Sequence, residues 1–342
     1  MKKLLNTLYI NTPDVYLSVD GENVVVIKDD AEQGRIPLHN LEAISCFSYA
    51  GASPYLMHAC SKKGIALTFF KPSGRFLARA EGEVRGNVLL RKAQYKNSEE
   101  PICLSIAKNI IIAKLHNSRW VLERVIRDHE LRVDSELLYG KINIIKEAMV
   151  STKESSDLDK LRGFEGVGTK AYFSVFDQLI LQQKEDFFFD VRSRRPPLDN
   201  VNALLSFMYS IYTYEIASAL EGVGLDPYVG FMHRDRPGRV SLALDILEEF
   251  RSVLVDRFVV TMINKREVNS NDFIKEENGA VTMKDDARKK IITAWQKRKQ
   301  EELTHPFLKE KIQWGLVAHS QALLLARYLR GDLEAYPPFL WK

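Results

Sequence analysis

The sequence predicts an α+β protein in two parts. A β-rich N-terminal domain over residues 1–90, a small sheet or sandwich with a short helix, precedes a larger all-α domain over residues 91–342. Two observations carry this reading. Up to about residue 85 the β-branched and aromatic residues come in short runs broken by turn signals, and from about residue 86 the apolar residues recur at helical three-and-four spacing. A length of 342 residues also suits about two domains at the usual ~150 residues each.

Thr7 to Ile10 is a short β-prone run. Val15 to Val19 and Val24 to Ile27 flank Gly21-Glu22-Asn23 and read as a hairpin. Ile36 to Ile44 and Ala66 to Phe70 continue the pattern. Between them Ser53 to Lys63 reads as a short helix stopped by Gly64, and Pro72-Ser73-Gly74 turns the chain into a last strand, Arg75 to Ala80. The apolar faces and strand edges of such a domain are common dimer material.

Asn87 to Tyr95, Ile102 to Arg127 and Glu136 to Val150 carry helical spacing, with Lys96 to Pro101 as the first break. Trp120, His116 and His129 on these helices read as packing or surface residues. After the polar break Thr152 to Asp159 comes RGFEG, which places Glu165 between glycines near the start of a helix. There it serves either the helix dipole or a ligand.

The loop Asp190 to Asn200 sets Arg192, Arg194 and Arg195 beside Pro196-Pro197, and Asp199 or Asn200 caps the next helix, which runs to Gly222. Guanidinium groups held beside prolines match phosphate oxygens; the alternative is a solvated cluster. Further on, Phe273 to Met283 reads as a hairpin turning at Asn278-Gly279. Lys284 to Gln300 is the most basic helix, with Arg288, Lys289 and Arg298 as candidate backbone contacts on a nucleic acid. Pro306 to Arg330 reads as a final amphipathic helix containing His319. The apolar tail Ala335 to Trp341 is barred from helix by its prolines and is expected to dock on its own or a partner's surface.

Composition excludes some classes. With 49 basic and 45 acidic residues the chain is only mildly basic, so any nucleic-acid role must rest on local clusters. Three dispersed cysteines, Cys46, Cys60 and Cys103, offer no zinc ribbon or disulfide framework and suit a reducing cytoplasm. The first residues begin like a signal peptide, but Asn6, Asn11 and Asp14 interrupt the apolar run and no cleavage pattern follows. No stretch is apolar for ~18 residues, so no membrane span is read.

The strongest chemistry lies between His233 and Arg251. Gly230-Phe231-Met232-His233 ends a turn, a basic loop holding Arg234 follows, and Ser241 reads as the N-cap of a helix. Ala243, Ile246, Leu247, Phe250, Val253 and Leu254 form its core stripe. At roughly 100° per residue Asp245, Glu248 and Glu249 gather on the other side. Three acids with a histidine upstream supply hard oxygen donors and one imidazole to a divalent cation.

Glu165 in RGFEG, the Arg-Arg-Pro-Pro loop, His233 in GFMH and the helix SLALDILEEFR occur in that order over about 90 residues. In this the chain resembles the CRISPR-associated adaptation nuclease–integrase family, metal-dependent DNA enzymes that insert spacers into CRISPR arrays. The resemblance covers essentially the whole chain. RSRRPPLDNVNALLSF and the tail PPFLWK look closest to type I-C members.

The resemblance implies catalytic metal ligands at Glu165 and His233, and a third at the acid three residues after Asp245, which is Glu248. Many members have aspartate there, and Glu249 is a competing assignment. It further implies Mg²⁺ or Mn²⁺, and attack on a phosphodiester by water or by the 3′-hydroxyl of incoming duplex DNA. A homodimer, assembly with the small second adaptation protein and double-stranded DNA as substrate are also implied. Arg192, Arg194, Arg195 and Arg234 are the candidates for gripping phosphates. A non-catalytic DNA-binding scaffold would not need Glu165, His233 and Glu248 together. A small-molecule phosphohydrolase would not need the basic helix.

Overall fold

The structure, a computed structural model, describes residues 5–82 and 87–342. The N-terminal strands are β1 (Asn6–Ile10), β2 (Tyr16–Asp20), β3 (Asn23–Lys28), β4 (Ala31–Pro37), β5 (Leu41–Cys46), β6 (Ala66–Phe70) and β7 (Phe76–Ala80), with α1 (Pro54–Lys63) between β5 and β6. β2-β3-β4 form an antiparallel sheet, and β1-β5-β6-β7 form a mixed one in which β1, β5 and β6 are parallel. Parallel neighbours need a long crossover, and α1 supplies it. It starts at Ser53, whose hydroxyl accepts from the Leu56 amide at 3.1 Å, and ends at Gly64 in the left-handed conformation. The run Ile36 to Ile44 is not one strand: a 3₁₀ turn at Leu38–Asn40 breaks it, and the chain changes sheets there.

The helical part comprises α2 (Val88–Ser98), α3 (Cys103–His129), α4 (Ser135–Glu154), α5 (Leu158–Phe173), α6 (Asn200–Gly222), α7 (Ser241–Phe250), α8 (Arg257–Asn264), α9 (Asp285–Gln300) and α10 (Trp314–Leu329). Asp199 is the residue that caps α6, accepting from Asn202 N at 2.7 Å. This part is mostly rather than wholly helical. The expected hairpin forms as β8 (Phe273–Lys275) and β9 (Val281–Met283), and a second forms as β10 (Glu302–Thr304) and β11 (Lys311–Gln313). That second hairpin displaces the predicted helix start at Pro306 to Trp314. Its turn is held by the buried His305 ring, whose Nδ1 accepts from the Phe307 and Leu308 amides at 3.3 and 3.2 Å. Among the described residues no helix is long and apolar enough to cross a membrane.

Two hydrophobic clusters result. One, around Leu17, Ile44, Leu56 and Leu67, stays within the N-terminal strands and α1. The other fills the helical part and takes in Phe47 and Phe70 from the β region. Phe76 stacks on Tyr214 of α6 at 4.2 Å, and Phe47 meets Phe207 at 6.0 Å. At Gly74, φ +80°, an added Cβ would lie 2.6 Å from the Phe207 ring, so this turn requires glycine on both counts. The predicted boundary at residue 90 falls just beyond residues 83–86, which lie outside the described residues.

α9 joins the two parts. Gln296 donates to Thr7 O at 3.0 Å, while Lys299, Trp295 and Tyr9 all donate to Glu215 Oε1 of α6 at 3.0, 3.1 and 2.9 Å. The one-sided charge of this helix is therefore spent partly inside the molecule. Arg288 is 4% exposed and bonds Met283 O and Asp285, and Arg298 pairs with Glu301 and lies over Trp314. Of the three candidates on this helix only Lys289 is exposed, at 3.4 Å from Asp286.

Candidate active site

α7 is enclosed on nearly every side. Asp245, Glu248 and Glu249, placed by sequence away from its core stripe, are themselves 0%, 4% and 0% exposed. Burial of three acids requires partners for each, and the partners separate their roles.

Asp245 anchors the loop before the helix. Its Oδ2 accepts from the Phe231 and Met232 amides at 2.6 and 3.0 Å, and its Oδ1 from the His233 amide and ring Nδ1 at 3.1 and 2.5 Å. Gly230 makes this approach possible, since a Cβ there would sit 2.8 Å from Asp245 Oδ2. Arg162 of α5 grips the same loop, donating to Met232 O at 2.9 and 2.7 Å. Ser241 is not the N-cap, and Val240 stands there with no capping side chain. The amides of Leu242 and Ala243 go instead to Pro227 O, at 3.0 and 3.4 Å, so the loop itself caps the helix.

Glu248 faces α3 and α5. Its Oε2 is 2.8 Å from Lys114 Nζ and its Oε1 2.8 Å from Arg251. Burial alone would raise its pKa, but Arg251, Lys114 and His233 hold the carboxyl down to about 2. Lys114 also donates to Glu165 Oε1, which accepts from Thr169 at 2.8 Å as well. Glu165 lies in the middle of α5, not near its start, so the helix-dipole role does not apply. One turn on, Gly168 lets α5 close on α3, because a Cβ there would meet Leu115 at 2.1 Å.

Glu249 points the other way, to the tail. Its Oε1 accepts from Tyr336 OH at 2.5 Å, and its Oε2 from the Phe339 amide and Gln321 at 2.7 and 2.9 Å. Burial pushes this carboxyl up to about 7, against those hydrogen bonds. The tail docks on its own chain, where Asn117 of α3 donates to Phe339 O at 2.8 Å and accepts from the Trp341 amide at 2.9 Å.

Behind Glu248 the helix continues as a π-helical turn, Arg251–Asp256. Such turns insert a residue and re-aim side chains, frequently at functional sites. Here Arg251 lies over the Tyr209 ring at 4.6 Å while holding Glu248, and Tyr209 OH donates to Asp256. Burial pushes Asp256 up to about 6, despite Tyr209, Arg251 and Tyr172.

Among the described residues no three His, Cys, Asp or Glu side chains stand close enough to hold a metal ion as they are. Their chemistry fits one. Two carboxylates from separate helices converge on a single positive charge, and an imidazole whose Nδ1 donates to Asp245 carries its lone pair on Nε2. The arginine loop divides. Arg192 turns inward to Asn202 and Ser206 at 2.6 and 3.0 Å, and burial lowers it to about 10, so it offers no surface grip. Arg194 and Arg195 are exposed, and Arg234 is exposed but paired with Asp159 at 2.8 Å. Sequence reasoning missed Lys114, Arg251, Arg162 and Asn117. The available signal was a lysine and an asparagine inside the buried face of α3, beside Ile110, Ile111 and Val121.

The family model for CRISPR associated protein Cas1 matches residues 8–297. The chain is 50% identical over 343 residues to CRISPR-associated endonuclease Cas1 1 of Chlorobaculum tepidum, with 100% of both chains covered. It is 51% identical over 346 residues to CRISPR-associated endonuclease Cas1 2 of Rhodospirillum rubrum, again with 100% of both covered. Solved structures share the fold. A casposase bound to integration product has TM-score 0.84 at 24% identity, covering 99% of this chain and 95% of its own. A CAS1 protein from Thermotoga maritima has TM-score 0.82 at 21% identity, covering 97% and 99%. From a match that spans most of its length and full-length relatives at half identity, the chain belongs to the CRISPR-associated protein Cas1 family.

Proposed function

We propose that this chain is a divalent-metal-dependent DNA endonuclease and integrase of CRISPR adaptation, with Glu165, His233 and Glu248 as the ligand set. The observation that carries the reading is convergence. Glu165 on α5 and Glu248 on α7 meet at one cation, and His233 is held by the same helix through Asp245. Mixed carboxylate and imidazole donors suit Mg²⁺ or Mn²⁺. The ion's contribution is Lewis-acid polarisation of a phosphodiester oxygen. The protein's own part is to keep Glu248 ionised, to fix the His233 ring through Asp245, and to hold both against α5.

Asp245 acts as a positioning residue in this reading, and Glu249 as a structural one. Arg194, Arg195, Arg234 and Lys289, all exposed, are the side chains that would meet phosphates. They would supply affinity and not sequence readout. Residues 1–90 form the dimerisation domain and 91–342 the catalytic one. The working form is a cytoplasmic homodimer that assembles with the small second adaptation protein. A solved Cas6-RT-Cas1–Cas2 complex contains a chain of this fold.

The test is strand transfer of a short duplex with free 3′-hydroxyls into a supercoiled repeat-bearing target, with the small partner present, in Mn²⁺, Mg²⁺ or chelator. Metal-dependent joining that His233→Ala and Glu165→Ala abolish while DNA binding persists is the expected result. Binding without joining or cleavage in any metal would reject the enzyme in favour of a scaffold.

A further inference from the structure

Lys114 is the least expected residue at the site. It sits mid-way along α3 at 5% exposure, and its ammonium contacts Glu165 and Glu248 together. A lysine buried this deeply is costly without compensating charge, and the buried Glu248 and the partly exposed Glu165 supply it. Ammonium and carboxylates therefore satisfy each other, at the point on which the two glutamates converge. A divalent ion taken up by both carboxylates would meet an ammonium already there, and like charges at contact range repel strongly in a low-dielectric site.

The structure also offers a second place for that ammonium. Beside it lies a small cavity of about 10 Å³, near the size of one water and so of one ammonium group. Its wall includes Lys114, Thr169, Tyr172, Arg251, Ser252 and Asp256. Ser252 Oγ on that wall has no hydrogen-bond partner, and Asp256 Oδ2 has none of good geometry, with Tyr172 OH as its neighbouring donor. Buried polar atoms without partners are rare and ask for an explanation.

We propose that Lys114 is a two-position counter-ion. With no metal bound it holds Glu165 and Glu248 together; when an ion takes those carboxylates, the Lys114 ammonium moves to the cavity and pairs with Asp256. The inference rests on the ligand set proposed above. It adds a positioning residue and its receiving carboxylate, neither of which touches substrate.

The experiment is Mn²⁺ titration of the full-length protein without DNA, followed by electron paramagnetic resonance or calorimetry, with melting temperatures in chelator and in Mn²⁺. Lys114→Met is expected to bind Mn²⁺ more tightly, on the order of tenfold, within the usual range of intramolecular coupling. It should also melt lower in chelator and gain more from Mn²⁺ than the parent. Asp256→Asn should weaken Mn²⁺ binding several-fold, and that loss should vanish in the Lys114→Met background, which a merely structural role for Asp256 would not produce.

Lys114→Gln has the same expected sign and serves if the methionine variant does not fold. Unchanged or weaker Mn²⁺ binding by the folded Lys114 variants, or an Asp256→Asn loss that persists without the lysine, would overturn the proposal. Glu248→Gln is the separating control. If it binds Mn²⁺ as the parent does, the ligand set fails and this inference with it. If it does not, and Lys114→Met is no tighter, only the counter-ion reading fails.

Discussion

Glu248 and Glu249 are consecutive residues on one buried helix, yet their surroundings drive them apart. Glu248 meets two cations, Lys114 and Arg251, and is held down to about 2. Glu249 meets only neutral donors, Tyr336, Gln321 and the Phe339 amide, and is pushed up to about 7. Burial is nearly the same for both, so the sign of the shift is decided by partner charge. One side of α7 keeps a carboxylate charged between two cationic side chains. The other uses a carboxyl group to fasten the tail. A one-residue step along a helix turns a side chain by about 100°, which is enough to exchange chemistry for architecture.

Neutralising the two carboxylates in turn should have very different effects. Glu248→Gln should lower strand transfer by roughly three orders of magnitude or more, as removal of a ligand-type group does. Glu249→Gln should stay within several-fold of the parent. Equal losses in both, measured as joining rates at saturating Mn²⁺, would collapse the distinction. Asp245→Asn should fall between them, at roughly 10–100-fold in Mn²⁺ affinity or rate, the usual effect of a residue that orients a histidine ligand. A partial loss without global unfolding, checked by melting temperature, is the diagnostic result.

The two carboxyls also give stability opposite pH dependences. The ordinary carboxyl value is 4.5 and that of Glu249 in the fold is about 7. Between them the folded chain keeps a proton that the unfolded chain has released. Stability from this group is therefore full below about pH 4.5 and is lost as pH rises to about 7, by at most about 1.4 kcal/mol per pH unit. Glu248 has the opposite sign, because its contribution is present above 4.5 and is lost as pH falls towards 2. Glu249→Gln should flatten the parent's decline between pH 4.5 and 7 in denaturant unfolding. An unaltered slope would show that Glu249 is not the group that titrates there.

The sequence displayed what is local. The period change near residue 86, the helix stop at Gly64, a cap at Asp199 or Asn200 and the hairpin turning at Gly279 all follow from spacing within a few residues. The misses are tertiary. Nothing near Lys114 says that it will meet Glu165 on α5 and Glu248 on α7. Ser241 has the composition of an N-cap, but the Pro227 carbonyl reached the first-turn amides instead. Charge runs were the least informative signal. Arg288 and Lys299 on the basic helix lie inside the molecule, where their value is structural.

The arginine loop shows the same division between inward and outward charge. Arg192 is folded against Asn202, Ser206 and the Tyr209 ring, whereas Arg194 and Arg195 are exposed. Removing the exposed pair should lower the slope of log binding constant against log salt by about one to two, since each phosphate contact on duplex DNA contributes about 0.9. Arg192→Ala should leave that slope alone and instead cost ~1–3 kcal/mol of stability, because it strips a buried hydrogen-bond network of its donor. Were Arg192→Ala to reduce the salt slope as much as the double variant at unchanged stability, its side chain would have to leave the interior to meet DNA. The inward and outward halves of the loop would then be one surface.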